Sequence, residues 1–187
     1  MRGRLDDDSV DCVITDPPYG IDYDASMHVG IDGGENYNQS IEGDEIEDTV
    51  ALWRDFLNEV RRVLKPDGHV YTFTPLKELP RLQPIVEDAL SFENKVVWVK
   101  NNHTVSPDSQ HNFGYKYEEL LFATNPEGEP KNLTEFATNV MEYDRPSSGK
   151  YDHPTQKPVT VIEKLITEFT SPGDTVLAPT PGFSYYS

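Results

Sequence analysis

An acid, two prolines and a tyrosine stand together at Asp16-Pro17-Pro18-Tyr19, directly after the apolar run Val10 to Thr15. Proline has no backbone N–H and a fixed φ, so two in a row leave carbonyl oxygens without a neighbouring donor and hold them rigidly. Such a group would accept hydrogen bonds from an amino group on a planar ring and stack against that ring. This suits the exocyclic amine of a base held outside its helix. The alternative is a strand followed by a tight turn, because four residues of this kind can arise by chance.

A second polar group, HPTQKP at residues 153–158, comes directly before an apolar pattern typical of a helix. Pro158 suits the first helical position, where the missing N–H would be unsatisfied in any case. His153 has no second histidine, cysteine or acid at ligand spacing, so we predict no metal site. The single cysteine, Cys12, falls within the first apolar run and is interpreted as a buried thiol.

Apolar periodicity predicts strands that alternate with helices along the chain. We predict strands at 10–15, 69–74, 94–100, 117–124 and 174–178, a short strand near Val140, and helices at 46–65, 77–90 and 158–169. A turn is predicted at Pro66-Asp67-Gly68, and the Gly-, Asn- and Asp-rich residues 24–44 are interpreted as a long mobile loop. This alternation favours an α/β fold with a mainly parallel sheet covered on both faces. Ligands of such sheets bind beyond the carboxyl ends of the strands, where Asp16 to Tyr19 stand.

Length and composition indicate a single globular domain over residues 1–187, of which 36% are hydrophobic. No apolar run approaches the roughly 18 residues of a membrane span, so we predict no membrane partner. The N-terminus lacks the apolar core of a signal peptide, and the single cysteine leaves no internal disulfide. Together these features favour the cytoplasm.

The net charge of −17 argues against nucleic acid when taken alone, because phosphate contacts supply much of the affinity of DNA-binding proteins. The charge is uneven, however. Residues 95–164 carry 8 Lys and Arg against 10 Asp and Glu, whereas the remainder carries 8 against 23. An acidic surface of this kind is typical of proteins from a halophile's cytoplasm, and we interpret the source in that way.

Five segments in a fixed order resemble the beta class of amino-methyltransferases. They are SVDCVITDPPYGIDYD, RRVLKPDGHVYTF, VVWVKNN, YEELLFATN and HPTQKPVTVIEKLITEFTSPGDTVL. Members of this class are S-adenosylmethionine-dependent DNA methyltransferases that act on the amino groups of adenine or cytosine. The resemblance implies a Rossmann-like methyltransferase sheet in permuted order, with the catalytic motif early and the cofactor strand late. It also implies double-stranded DNA as the partner and DNA methylation of the restriction–modification kind.

The resemblance implies a role for each residue of the first motif. Asp16 would accept one hydrogen of the target amine, and the Pro17 carbonyl would accept the other. Pro18 would stiffen the turn, and Tyr19 would stack on the flipped base. The amine would then attack the sulfonium methyl in line, helped by positioning and electrostatics without a strong base. An acid at the first motif position favours adenine over cytosine.

The cofactor-binding segments follow the family only in part. Thr155 and Lys157 are implied at the methionine end of S-adenosylmethionine, and Gly182 is the one glycine that remains of the family's Gly-x-Gly turn. After GDTVL the family continues with Asp-Pro-Phe, whereas this chain continues with Ala178-Pro179-Thr180. We therefore expect a C-terminally truncated or altered member of the class, with the strands on the cofactor side incomplete.

Three interpretations remain open. The first is an active DNA methyltransferase whose missing strands come from elsewhere, through a homodimer or a completing partner chain. The second is an inactive truncated remnant of such an enzyme, with no cofactor binding. The third is a methyltransferase for a protein glutamine or an RNA base, since those families use a related turn, although they usually start it with Asn.

The DNA-reading region is predicted between the strand YEELLFATN and the segment HPTQKP. Residues 125–152 are interpreted as a short DNA-recognition insert, which acts together with the loop NNHTVSPDSQHNFGYK. Candidate DNA contacts in these segments are Lys100, His103, His111, Lys116, Lys131, Arg145 and Lys150. The alternative for each is a solvated side chain. Because the region is short, we expect recognition of a small site.

Overall fold

A computed structural model describes residues 5–16, 46–102, 113–133, 137–145 and 157–179. The elements within these ranges are β1 (Val10–Thr15), α1 (Ile46–Val63), β2 (Leu64–Thr74), α2 (Leu79–Ala89), β3 (Ser91–Lys100), β4 (Tyr117–Thr124), β5 (Val140–Tyr143), α3 (Val159–Phe169) and β6 (Val176–Leu177). The predicted bounds of β1 and β4 are confirmed. The loop predicted at 24–44 lies outside the described residues. Among the described helices, none has the length and apolarity needed to cross a membrane.

The described strands form one sheet in the order β5-β3-β4-β2-β1-β6. β1 pairs in parallel with β2 and β6, and β3 pairs in parallel with β5. β4 is antiparallel to both β2 and β3. The predicted α/β class with a mainly parallel sheet is therefore confirmed, with β4 as the strand that runs the other way. Its reversal agrees with the absence of a predicted helix between β3 and β4, because parallel neighbours need a crossover connection.

Helices cover both faces of this sheet, as the alternation of elements predicts. On one face α1 and α2 bury Trp53, Leu57, Leu82 and Val86 against the sheet. On the other face α3 buries Val161 and Leu165 in a second cluster with β1, β2 and β4. All six residues of β1 are buried, since this strand has neighbours on both edges and helices on both faces.

The predicted turn at residues 66–68 belongs to β2, so the predictions that the strand starts at His69 and that the preceding helix runs to residue 65 are wrong. The register explains the difference, because Val10 pairs with Leu64 while Cys12 pairs with His69, which leaves three extra residues of β2 in an irregular bulge. The Asn125 side-chain amide donates to the carbonyls of Leu64 at 2.9 Å and Lys65 at 3.2 Å. A residue that is distant in the sequence therefore satisfies the backbone of this bulge.

A buried carboxylate, Asp11, fixes the start of β6 against β1. Its side chain is 2% exposed and accepts hydrogen bonds from Lys65 Nζ at 2.8 Å, Lys131 Nζ at 2.9 Å and the Thr175 N–H at 2.8 Å. Asp174 accepts from the same Lys131 at 3.1 Å. We call Asp11, Lys65, Lys131 and Asp174 the Asp11 cluster. It brings the early strand β1 and the late strand β6 together, as the permuted order implies.

Candidate active site

A cavity of about 320 Å³ lies where the carboxyl ends of β1 and β2 meet the first residues of β4. Asp16 follows β1 directly, and Phe73 and Thr74 end β2. Glu118 enters from the start of β4, which reaches the same edge of the sheet because that strand is antiparallel. Lys100 ends β3, and Lys157 stands two residues before α3. The cavity is thus lined from five elements at the edge where ligands of parallel sheets bind.

Four of these side chains form a continuous series of ion pairs, which we call the charge network. Lys157 Nζ lies 2.9 Å from Asp16 Oδ2 and 2.8 Å from Glu118 Oε2. Glu118 Oε1 in turn lies 2.7 Å from Lys100 Nζ. The network therefore runs Asp16, Lys157, Glu118, Lys100, with acid and base alternating.

Aromatic rings support both ammonium groups of the charge network. Lys157 Nζ lies 4.6 Å from the centroid of the Phe73 ring, and Lys100 Nζ lies 5.4 Å from that of Trp98. Each ammonium is therefore held between a carboxylate and the negative face of a ring, within the distance of a cation–π contact. The Lys157 side chain is only 11% exposed, so its position is fixed by these contacts more than by solvent.

The pKa values follow from the same geometry. Burial by itself would lower the pKa of Lys157, but the carboxylates of Asp16 and Glu118 outweigh it and raise that pKa above its ordinary range. Burial would raise the pKa of Glu118, but Lys157 and Lys100 outweigh it and lower that pKa. Both groups are therefore charged at neutral pH.

The structure brings together three residues that the sequence predicts for three different tasks. Asp16 was predicted to be catalytic, Lys157 to bind cofactor and Lys100 to contact DNA, and all three lie in one charge network. Sequence reasoning missed Glu118, which joins them. The available signal was its place at the start of a strand, but only the antiparallel direction of β4 brings that start to the edge where Asp16 lies.

The other predicted site residues do not belong to the charge network. Lys116 is exposed just before β4, and its carbonyl accepts from the Lys100 N–H at 2.8 Å. The backbone N–H and carbonyl of Arg145 bond to the side chain of Asn102, each at 2.8 Å. Lys131 belongs to the Asp11 cluster, at the opposite end of β1 from Asp16. Several candidates lie outside the described residues: Pro17, Pro18, Tyr19, His103, His111, Lys150, Thr155 and Gly182.

Comparison with known protein families gives a match over most of the chain. A family described as "DNA methylase", of the N6/N4 methyltransferases, matches residues 10–179. Type II methyltransferase M.HpaI of Haemophilus parainfluenzae is 28% identical over 96% of this chain and 60% of its own length. DNA adenine methyltransferase YhdJ of Escherichia coli K12 is 24% identical over 96% of this chain and 67% of its own length. The chain thus spans about three-fifths to two-thirds of these relatives.

Solved structures share the fold. The M1.HpyAVI–SAM complex matches with a TM-score of 0.60 and 22% identity, over 92% of this chain and 72% of that one. The PvuII DNA methyltransferase, described as cytosine-N4-specific, matches with a TM-score of 0.64 and 18% identity, over 93% of this chain and 68% of that one. These neighbours confirm a Rossmann-like methyltransferase sheet. With the family match over residues 10–179, the chain belongs to the DNA methylases of the N6/N4 amino-methyltransferase class.

Proposed function

We propose that this protein transfers a methyl group from S-adenosylmethionine to the exocyclic amine of a flipped base in double-stranded DNA, with adenine as the base. The observation that carries the proposal is the position of Asp16. Its carboxylate lies at the carboxyl end of β1, on a cavity of about 320 Å³, held by Lys157 at 2.9 Å. This volume falls within the range of about 300 to 1,000 Å³ typical of small-molecule sites.

The residues of the cavity fit the amino-acid end of S-adenosylmethionine. Glu119 lines the cavity, and its Oε2 atom is buried without a hydrogen-bond partner in the described part of the structure. A buried carboxylate oxygen of this kind favours a cationic or amino group as its partner. Lys157, with Thr155 and Gly182 outside the described residues, would hold the cofactor. When bound, S-adenosylmethionine supplies an electrophilic methyl group on its sulfonium.

The protein's own part in the reaction is orientation and electrostatics. The Asp16 carboxylate accepts a hydrogen bond from the target amine and turns the nitrogen lone pair away from the ring. The negative charge of Asp16 stabilises the positive charge that develops on that nitrogen, and the surplus proton then passes to solvent. Lys157 fixes the carboxylate so that it does not rotate as the charge develops. The Pro17 carbonyl would accept the second amine hydrogen, and Tyr19 would stack on the base.

The preference for adenine rests on the acid at position 16, as the family resemblance implies. The relative YhdJ is named a DNA adenine methyltransferase, whereas the PvuII enzyme is named cytosine-N4-specific. The same proposal includes duplex DNA as the partner, bound by a recognition insert at 125–152 and by contacts from Lys100, Lys116, Arg145 and His103. It also includes a role in restriction–modification and a cytoplasmic location.

Asp16→Ala tests the proposal directly. Loss of one preorganised group of this type costs roughly 10² to 10³ in rate, so we expect methyl transfer to DNA to fall by that factor while S-adenosylmethionine binding is retained. Transfer is measured with radiolabelled cofactor, and the modified base is identified by mass spectrometry. Asp55→Ala, an exposed acid on α1, is the matched control. Wild-type rates in Asp16→Ala would contradict the role of Asp16, and N4-methylcytosine as the product would contradict adenine.

Calorimetry separates this proposal from the interpretation of an inactive remnant. The proposed function requires heat of S-adenosylmethionine binding from the wild-type chain, whereas the departure from the family pattern at Ala178-Pro179-Thr180 predicts none that is detectable. No detectable binding at sub-millimolar concentration would favour the remnant.

A further inference from the structure

We propose that Glu118 is a positioning residue of the active site, which shares Lys157 with Asp16 and thereby controls how strongly that ammonium engages the Asp16 carboxylate. The inference rests on the proposed function, because it assigns to Glu118 a part in methyl transfer. It concerns a residue on β4, in the segment YEELLFATN, to which the sequence assigned no role.

The geometry divides the hydrogen bonds of Lys157 between two acids. An ammonium has three donors. One is directed to Asp16 at 2.9 Å and one to Glu118 at 2.8 Å, while the nitrogen lies over the Phe73 ring at 4.6 Å. With the side chain 11% exposed, little solvent is present to replace either acid. Any change at Glu118 is therefore transmitted to the pairing between Lys157 and Asp16.

The charges explain why this division matters. Asp16 must attract the developing positive charge on the target amine, but an ammonium paired with Asp16 alone would neutralise it and compete for its oxygens. Glu118 draws part of that ammonium's interaction away. A neutral side chain at position 118 would leave one uncompensated positive charge beside Asp16, in a region where the effective dielectric is low. We therefore expect the chemical step, and not ground-state binding, to suffer.

Lys100 holds Glu118 in place from the other side. Its Nζ lies 2.7 Å from Glu118 Oε1 and 5.4 Å from the centre of the Trp98 ring. The Trp98 indole N–H donates to the Tyr143 carbonyl at 3.0 Å, so the support reaches β5. Loss of Lys100 removes a competitor for Glu118 and strengthens the pairing of Glu118 with Lys157. Its effect on Asp16 is therefore opposite to that of losing Glu118.

The kinetic test compares Glu118→Gln with Glu118→Asp, using Glu87→Gln as the control because Glu87 is exposed on α2 and does not line the cavity. A residue that acts through another should cost less than a direct contact, so we expect the single-turnover rate of Glu118→Gln to fall by about 10-fold to 50-fold. Dissociation constants for S-adenosylmethionine and DNA should change by less than about twofold. Glu118→Asp keeps the charge and should recover part of the rate. An unchanged rate, or a rate loss matched by lost affinity in both variants, would overturn the inference.

A second measurement does not depend on activity. The Glu118 carboxyl carbon is followed by NMR through a pH titration of the wild-type chain and of Lys100→Met. Because both lysines stabilise the carboxylate, the pKa of Glu118 should lie below the ordinary glutamate range and rise when Lys100 is removed. An ordinary value in both proteins would overturn the charge network. If the wild-type chain transfers no methyl group, the proposed function fails, and this titration decides by itself whether Glu118 is held as described.

Discussion

Replacing Asp11 with asparagine should destabilise the fold at the point where β6 joins β1. The carboxylate accepts from two ammonium groups and one backbone N–H while its side chain is 2% exposed. Asparagine has one acceptor oxygen at this place and presents an N–H₂ group to a lysine. Lys131 would keep Asp174 at 3.1 Å, but Lys65 would lose the one acidic partner described for it.

The magnitude follows from the pKa of Asp11. Burial would raise this pKa, but the hydrogen bonds from Lys65, the Thr175 N–H and Lys131 outweigh it and lower it from 3.8 to about 2. At about 1.36 kcal/mol per pH unit, this difference corresponds to roughly 2.4 kcal/mol in the free energy of unfolding. For a chain of this length the melting temperature would fall by roughly 5 to 10 °C. Because the folded pKa is depressed, the stabilisation is fully present above pH 3.8 and is lost as the pH falls through about 2.

Urea denaturation followed by circular dichroism measures this loss. The difference between wild type and Asp11→Asn should be constant from pH 8 to pH 5 and should shrink below pH 4. Asp55→Asn removes an exposed acid from α1 and should change the free energy of unfolding by less than about 0.5 kcal/mol. A variant as stable as the wild type, or a difference that grows as the pH falls, would refute the reasoning.

Three further predictions concern other parts of the molecule. His69 is buried against the Tyr71, Phe122 and Phe169 rings, and burial lowers its pKa to about 4, so the wild type loses stability as the pH falls below 6.5. In urea denaturation, the free energy of unfolding of His69→Phe minus that of wild type should therefore be about 2 kcal/mol larger at pH 5 than at pH 8. Gly128→Ala should lower the free energy of unfolding by about 1 to 3 kcal/mol in the same assay. A Cβ at this position would collide with the Pro66 carbonyl, which is backbone and has little room to move. Finally, the net charge of −17 predicts a melting temperature that rises with KCl, and a flat or falling curve in differential scanning fluorimetry would contradict the halophile interpretation.

The elements that the sequence predicts best are those whose pattern leaves one possibility. β1 is a continuous apolar run that ends at Asp16-Pro17, and its observed bounds are those predicted. The observed bounds of β4 are also those predicted. α2 runs over Leu79–Ala89 inside the predicted 77–90 although Pro84 lies within it. Its buried face outweighs the hydrogen bond that proline removes, since helix stability in proteins comes mostly from tertiary packing.

The parts that the sequence did not predict depend on contacts between distant residues. Pro66-Asp67-Gly68 has the composition of a turn, and local rules assign it to one. It remains within β2 because Asn125 satisfies the carbonyls of Leu64 and Lys65. Such a contact joins positions about sixty residues apart, and no local pattern contains it. The direction of β4 is a similar case, because it depends on pairing with two neighbours at once.

The candidate site divides in the same way. The motifs around Asp16 and Lys157 could be found because their residue types and order are distinctive. Their contact at 2.9 Å links segments 141 positions apart, and Glu118 joins them only because β4 is reversed. Lys100 and Lys131 are candidates for DNA contact from the sequence, but both are paired with carboxylates in the structure. The sequence alone does not show which lysines are paired in this way.

The pairing of cavity lysines with carboxylates affects how so acidic a chain would bind DNA under the proposed function. The charge network contains two ammonium groups and two carboxylates, so its net charge is zero and its attraction for phosphates fades within about one screening length of 8 to 10 Å. Affinity from counterion release grows with the number of phosphates neutralised, and lysines already paired with acids contribute little to that number. Binding would then depend more on contacts to the flipped base than on the backbone. Under the proposed function, Lys157 and Lys100 would chiefly orient Asp16 and Glu118, and a contact from Lys100 to DNA would add little phosphate affinity, as expected of a chain with a net charge of −17.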